Sequence, residues 1–175
     1  MSRTSTHLPH GSSEHPRARL AELGFALGAP RSGPYAYDPV AEAHGVAFVS
    51  GQIPKWEGSV VYTGAVPHGS DLAEAIAAAE LCAVNALEHI DHSIGLDRVE
   101  RLLKLTVYVA SAPEFDDQPA VAEGASLLLR AVLGEAGRHA RTAIGVPRLP
   151  KNATVEIDLA LATSPGPTDP TAVVR

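Results

Sequence analysis

The sequence predicts an α+β fold in which two helices cover one face of a largely antiparallel sheet. Two observations carry that prediction. Two segments repeat apolar residues at three- and four-residue steps and stop at a glycine, while the stretches around them are β-branched and aromatic runs cut off by Gly, Ser or Pro. Their order is strands, helix, strand, helix, strands.

The chain opens with MSRTSTHLPHGSSEHP, polar and without periodicity, which reads as a disordered tail over residues 1–16. A single domain is expected over 17–163, followed by a Pro/Gly-rich tail over 164–175. Within the domain, PRARLAELGFAL suits a short helix ended by Gly24, and GAPRSGPYAYDP reads as an irregular arm. The run Val46 to Val49 predicts a buried strand that ends at a tight Ser50-Gly51 turn, and GSVVYTG a second short strand. From Asp71, the stripe Leu72, Ile76, Ala79, Ala83, Leu87, Ile90 and Ile94 predicts an amphipathic helix with Ser70 or Asp71 as N-cap and Gly95 as its stop. VERLLKLTVYVASAP is the next strand, ended by Pro113. A second helix spans about 119–133, with Val121, Ala125, Leu128, Leu129 and Val132 as its stripe and Gly134 after it. ARTAIGV and ATVEIDLAL supply the last two strands.

Composition narrows the function classes. With 45% hydrophobic residues and a mean hydropathy of +0.04, the chain can bury one good core. A net charge of −6 offers no global attraction for a polyanion, and no cluster of Lys and Arg interleaved with aromatics is present to grip a nucleic acid. No apolar run approaches the roughly 18 residues that would span a bilayer. The expectation is a soluble cytoplasmic protein with no membrane and no nucleic-acid partner. A lone cysteine, Cys82, can form neither an internal disulfide nor a thiolate metal cage, and it reads as a small core residue. His89 and His92 stand one helical turn apart with no third ligand evident, so no metal is expected.

The last two strands carry the unusual charges. Alternation puts Val155, Ile157, Leu159 and Leu161 in one row, expected to meet the helices, and Glu156 and Asp158 in the other. In ARTAIGV, Arg141, Ala143 and Gly145 form one row opposite Ala140, Thr142, Ile144 and Val146. The expected arrangement places Arg141 and Glu156 together on the helix-free face. Such a pair on neighbouring strands reads first as a structural ion pair. A hydrophobic single-layer sheet also tends to cover its second face by assembling with copies of itself.

The ordered set GPY, FVSGQIP, RLLKLTVYVAS, HARTAIGV and LPKNATVEIDLAL resembles the RidA/YjgF reactive-intermediate deaminase family, whose older members were labelled L-PSP endoribonucleases. The resemblance covers about residues 20–163 and reverses the preference for a merely structural pair. It implies a chorismate-mutase-like protomer, a homotrimer, and clefts between subunits that take a small carboxylate-bearing enamine or imine without a cofactor. It implies that Arg141 binds the carboxylate, which suits a planar guanidinium that stays charged, and that Glu156 positions the attacking water. It further implies that Ser50 and Gly51 line the cleft, with either Tyr35, from the GPY motif, or Tyr37, from its spacing to SGQIP. Ala143 stands where many members carry cysteine, and Gly124 where many carry asparagine, so both are read as reshaped pocket positions in a divergent branch. The alternative function is a trimer that binds a keto or amino acid in the same cleft without turnover.

Overall fold

The computed structural model describes residues 15–28 and 36–166. Strand β1 (Val40–Ala43) opens a five-stranded sheet completed by β2 (Val46–Gln52), β5 (Val99–Ala110), β6 (Ala140–Val146) and β7 (Val155–Thr163), in the order β1-β2-β7-β5-β6. Only the β5–β6 pair is parallel. Strands β3 (Lys55–Trp56) and β4 (Ser59–Val60) form a separate two-stranded hairpin. Helix α2 (Leu72–Ser93) lies over β2 and β7, and α3 (Gln118–Leu133) over β5 and β6. Helix α1 (Pro16–Glu22) packs on α3 and drives Leu20 to 1% exposure. One leucine buried that fully contributes about 1.5–3 kcal/mol, enough to fasten a seven-residue helix too short to hold by itself.

The helix signals in the sequence act as read. Of the two N-cap candidates, Asp71 serves: its carboxylate accepts from the Glu74 N–H at 2.8 Å while the Asp71 N–H donates to Glu74 Oε2 at 3.1 Å, a reciprocal capping box. Gly95 follows α2 with φ +87° and Gly134 caps α3 with φ +63°, both in the region that favours glycine. The buried face of α2 is mostly alanine: Ala75, Ala78, Ala79, Ala83 and Ala86, with Cys82 among them. Small side chains let α2 approach both the sheet and α3. At the α2–α3 crossing, a Cβ on Gly124 would stand 2.5 Å from the Ile76 carbonyl oxygen, so only glycine fits there without a shift.

Several expectations need correction. The apolar stripe of α2 starts one position off: Leu72 is 38% exposed and Ile76 half-buried, while Ala75 and Ala78 take the core positions. The segment before Val46 contains β1, which the Gly/Pro-rich arm obscured. Most of GSVVYTG is irregular, with only Ser59 and Val60 in a strand. The Ser50-Gly51 pair does not end β2. Val49 faces Leu159 and Gln52 faces Ile157, three steps on β2 against two on β7, so one extra residue is accommodated as a bulge inside the strand. The expected tail over 1–16 reaches the described residues only at His15 and Pro16, where α1 is already beginning; residues 1–14 and 167–175 lie outside them.

The register decides which face each charge occupies. In β7, Val155, Ile157, Leu159 and Leu161 are buried beneath the helices and Glu156 and Asp158 turn away, as the alternation predicts. In β6 the assignment is reversed. Arg141 stands beside Leu105 and Ala143 beside Val107, both members of the buried row of β5, so Arg141 belongs to the helix side. Thr142 and Ile144 stand beside Thr106 and Tyr108, and therefore share the helix-free face with Glu156. The error has a physical origin: β6 is an edge strand at the margin of the helix layer, where the inward row need not be apolar because α3 offers polar side chains to it.

Candidate active site

Glu156 is built into the helix-free face by the bulge beside it. Gln52 resumes the inward row, leaving Ser50 and Gly51 displaced at the bulge. Gly51 lies directly against the Glu156 carboxyl group: an added Cβ would overlap Oε1 and come 3.0 Å from Cδ. The missing side chain is what leaves room for the carboxylate. Across β5, Tyr108 is the register partner of Glu156, and its hydroxyl donates to Asp158 Oδ2 at 2.9 Å. That bond is the main reason the Tyr108 phenol is held above its usual range. Among the described residues, no group hydrogen-bonds Glu156. Half-burial raises its pKa above the usual carboxyl value, the Asp158 charge raises it further, and Lys55 opposes both. A carboxyl that is unpartnered, partly desolvated and raised above its ordinary range is suited to take and return a proton.

Arg141 lies on the other side of the sheet in a ready-made socket of α3. Its Nη1 donates to Glu123 Oε2 at 2.8 Å and to Ser126 Oγ at 3.0 Å, and Nη2 to the Pro119 carbonyl at 3.4 Å. Positions 119, 123 and 126 recur at steps of four and three, one stripe of the helix. The socket extends further. His139 Nδ1 is 2.7 Å from the Gly137 carbonyl and its Nε2 3.1 Å from Ser126 Oγ, and burial lowers the pKa of the imidazole. In the neutral ring Nδ1–H donates to Gly137, so Nε2 accepts from the Ser126 hydroxyl, whose oxygen in turn accepts from Arg141. The direction of this chain fixes the guanidinium in one orientation.

The remaining predicted positions divide. Gly51 sits against the Glu156 carboxyl group, and Ser50 precedes it in the bulge. The Ser50 hydroxyl and N–H both donate to the Pro39 carbonyl, at 3.2 and 2.9 Å, which ties the bulge to the segment arriving from Tyr37. Tyr37 is 58% exposed, and Tyr35 lies outside the described residues. Ala143 follows Arg141 in the same row and packs against the core. Gly124 does not line a cleft: it is buried in the α2–α3 contact, where an asparagine side chain would have no space. Cys82 is fully buried with its thiol pushed far up by desolvation, 3.6 Å from the Val155 carbonyl. No cluster of three His, Cys, Asp or Glu suited to a metal occurs among the described residues. Glu123 and Ser126 were not read from the sequence. The available signal was a polar pair three apart on the flank of an otherwise apolar helical stripe.

Two surface clefts open elsewhere, one of about 390 Å³ between Phe25, Trp56, Tyr62 and α2, the other of about 570 Å³ around Arg98 and Glu42. Neither is lined by Glu156 or Arg141. Both of those side chains sit on open surfaces of the single chain, on opposite faces of one sheet.

Comparison with known proteins places this geometry. Residues 17–162 match the family model described as "YjgF/chorismate_mutase-like, putative endoribonuclease". Protein TCP17 of Trypanosoma cruzi is 41% identical over 143 residues, covering 81% of this chain and 89% of its own. A crystal structure of an Agrobacterium tumefaciens protein of unknown function is 43% identical with a TM-score of 0.80, covering 85% of this chain and 92% of that one. RidA from an Antarctic Psychrobacter is 21% identical with a TM-score of 0.52, covering 77% and 94%, a likeness of fold. No helix among the described residues is long and apolar enough to cross a membrane.

Proposed function

We propose, on the premise that the chain belongs to the YjgF/chorismate-mutase-like family, that it hydrolyses a reactive enamine or imine derived from an amino acid to a 2-keto acid and ammonia, without a cofactor. The observation that carries this reading is Glu156: a half-buried carboxyl with a raised pKa, free of hydrogen-bond partners among the described residues, against a glycine that leaves it room. The enamine tautomerises to the imine. Water attacks the imine carbon as Glu156 takes one of its protons and passes it to the imine nitrogen, giving a carbinolamine; the carboxylate then takes the hydroxyl proton and returns it to the nitrogen as the C–N bond breaks, leaving C=O and ammonia. The imine is already electrophilic, so orientation and proton transfer are enough.

Arg141 is the anchor for the substrate carboxylate in this reading. Because Arg141 and Glu156 occupy opposite faces of the sheet, a single small substrate meets both only if they come from different copies of the chain. The reading therefore includes an assembly, a homotrimer, whose neighbours close on the helix-free face. Phe48, 61% exposed, and Ile144, 42% exposed, are the apolar residues there that a neighbour would cover.

The test is keto-acid release from freshly generated 2-aminoacrylate, made in situ by a serine dehydratase. The wild type should accelerate release above the spontaneous rate. Glu156→Gln should lose about 10²–10⁴-fold in kcat, the usual worth of a general acid–base group, and Arg141→Ala should raise KM with the assembly intact. Saturable binding of pyruvate with no acceleration would favour instead the non-catalytic trimer, a reading that rests on Ala143, which brings no thiol to the row that carries Arg141.

A further inference from the structure

The Arg141 guanidinium, assigned above to a substrate carboxylate, already holds a carboxylate of its own chain. Glu123 Oε2 sits 2.8 Å from Nη1, while Ser126 and the Pro119 carbonyl hold the guanidinium from the same helix. The two partners differ in burial. The Ser126 side is sealed, with that residue 6% exposed, whereas the Glu123 side chain is 53% exposed and Arg141 only 26%. The exposed approach to the guanidinium thus runs past Glu123. Among the described residues, no group other than Arg141 hydrogen-bonds the Glu123 side chain, and its backbone is fixed in the middle of α3, so the side chain can swing into solvent while its charge stays near the opening.

We propose that Glu123 is a specificity-determining residue for the Arg141 anchor: it stands in for the ligand carboxylate in the empty protein, is displaced by a monocarboxylate, and discriminates against ligands that carry a second carboxylate. This rests on Arg141 as the anchor. The physical basis is charge. One incoming carboxylate replaces Glu123 on the guanidinium, an exchange of like for like. A second carboxylate on the same ligand cannot use the guanidinium that the first already occupies, and it lies close to the displaced Glu123, a repulsion between like charges at short range. A ligand with a neutral or cationic group next to its carboxylate avoids that repulsion, which directs the site toward monocarboxylate imines of neutral or basic amino acids. Since the Arg141–Glu123 pair is partly solvated, its release changes affinity modestly, about two- to fivefold.

The experiment is calorimetric titration of the full chain with pyruvate and with 2-ketoglutarate, at low and at high salt, for the wild type, Glu123→Gln, Glu123→Ala and Arg141→Ala. At low salt the wild type should bind pyruvate more tightly than 2-ketoglutarate. Both Glu123 variants should bind both probes more tightly, with the dicarboxylate gaining more, so that the pyruvate to 2-ketoglutarate preference narrows or reverses. High salt should shrink the wild-type preference toward that of the variants. A loss of Glu123 that acted only through structure would shift both probes together and leave the ratio unchanged, and that result, or weaker binding of both, overturns the role of Glu123. If those outcomes are accompanied by loss of pyruvate binding in Arg141→Ala, the anchor stands and only Glu123 falls. If Arg141→Ala binds both probes as the wild type does, or the wild type binds neither, the anchor falls with it.

Discussion

Arg141 and Glu156 are separated by one strand of the same sheet, yet their surroundings are opposites. Arg141 is surrounded by acceptors: a carboxylate, a hydroxyl and a carbonyl of α3, with His139 behind the hydroxyl. Glu156 has the reverse, with a second carboxylate nearby, a half-buried position and, among the described residues, no donor. The first environment fixes a charge and its direction. The second makes holding a charge costly and a proton easy to exchange. A residue that binds benefits from the former, and one that must change protonation state during a reaction benefits from the latter.

Among substitutions that leave both charges in place, the largest effect should come from filling the space at Gly51. Gly51→Ala places a methyl against the Glu156 carboxyl group, which can move because it is the end of a flexible side chain. The fold should survive and the carboxyl position should not. Displacement of about 1 Å at a reacting group costs about 10²-fold, so kcat should fall to that extent with thermal stability little changed. A variant of unaltered kcat would mean that the position of Glu156 does not matter to turnover.

Gly124→Ala is the matched contrast. Here the new Cβ meets the Ile76 backbone carbonyl at 2.5 Å, and no side-chain rotation relieves it. The two helices must separate, at a cost of about 1–3 kcal/mol as for other overpacked sites, measurable by denaturant unfolding. KM and kcat of the folded fraction should stay near wild type. A specific rise in KM without loss of stability would return Gly124 to the pocket and contradict its place in the helix crossing.

These two glycines also show what the sequence could and could not disclose. Both were singled out as pocket positions from motif spacing, which locates a residue along the chain but not the face it serves. Gly51 stands against the Glu156 carboxyl group and Gly124 in the contact between the two helices. The same limit applied to β6. Alternation divides Arg141, Ala143 and Gly145 from Thr142 and Ile144, but which row points inward depends on pairing with β5, a contact between residues about 36 apart in sequence. The apolar row was assigned inward because central strands behave that way, as β7 does. An edge strand under a helix that carries Glu123 and Ser126 does not. By contrast, the caps and stops of α2 and α3 were legible because capping chemistry is local, as Asp71 with Glu74 and Gly134 demonstrate. The Ser50-Gly51 bulge lay between these cases: the residues marked an irregularity, and only β7 across from them determined that it was a bulge rather than a turn.

The smallest expected effect sharpens the comparison most, because it concerns the quality that separates Glu156 from Arg141. Asp158 stands two residues along β7 on the same face and raises the Glu156 pKa, while Lys55 lowers it. Asp158→Asn removes the repulsion and keeps an oxygen to accept from the Tyr108 hydroxyl, so the local structure should hold. The ionised Glu156 would then persist to lower pH, and the acid limb of the kcat/KM profile should move down. Lys55→Gln should move it up. The stability signs follow from the same shift. A carboxyl whose folded pKa lies above its ordinary value of 4.5 binds its proton more tightly folded than unfolded. At neutral pH Glu156 therefore detracts from stability, and the penalty fades as the pH falls through the folded pKa toward 4.5. Asp158→Asn should reduce that penalty, making the protein slightly more stable at pH 7 while leaving its Glu156 contribution unchanged well below 4.5. A limb that ignores both substitutions would mean that Glu156 is not the group whose ionisation limits turnover, and the contrast with Arg141 would then describe two structural charges rather than a base and an anchor.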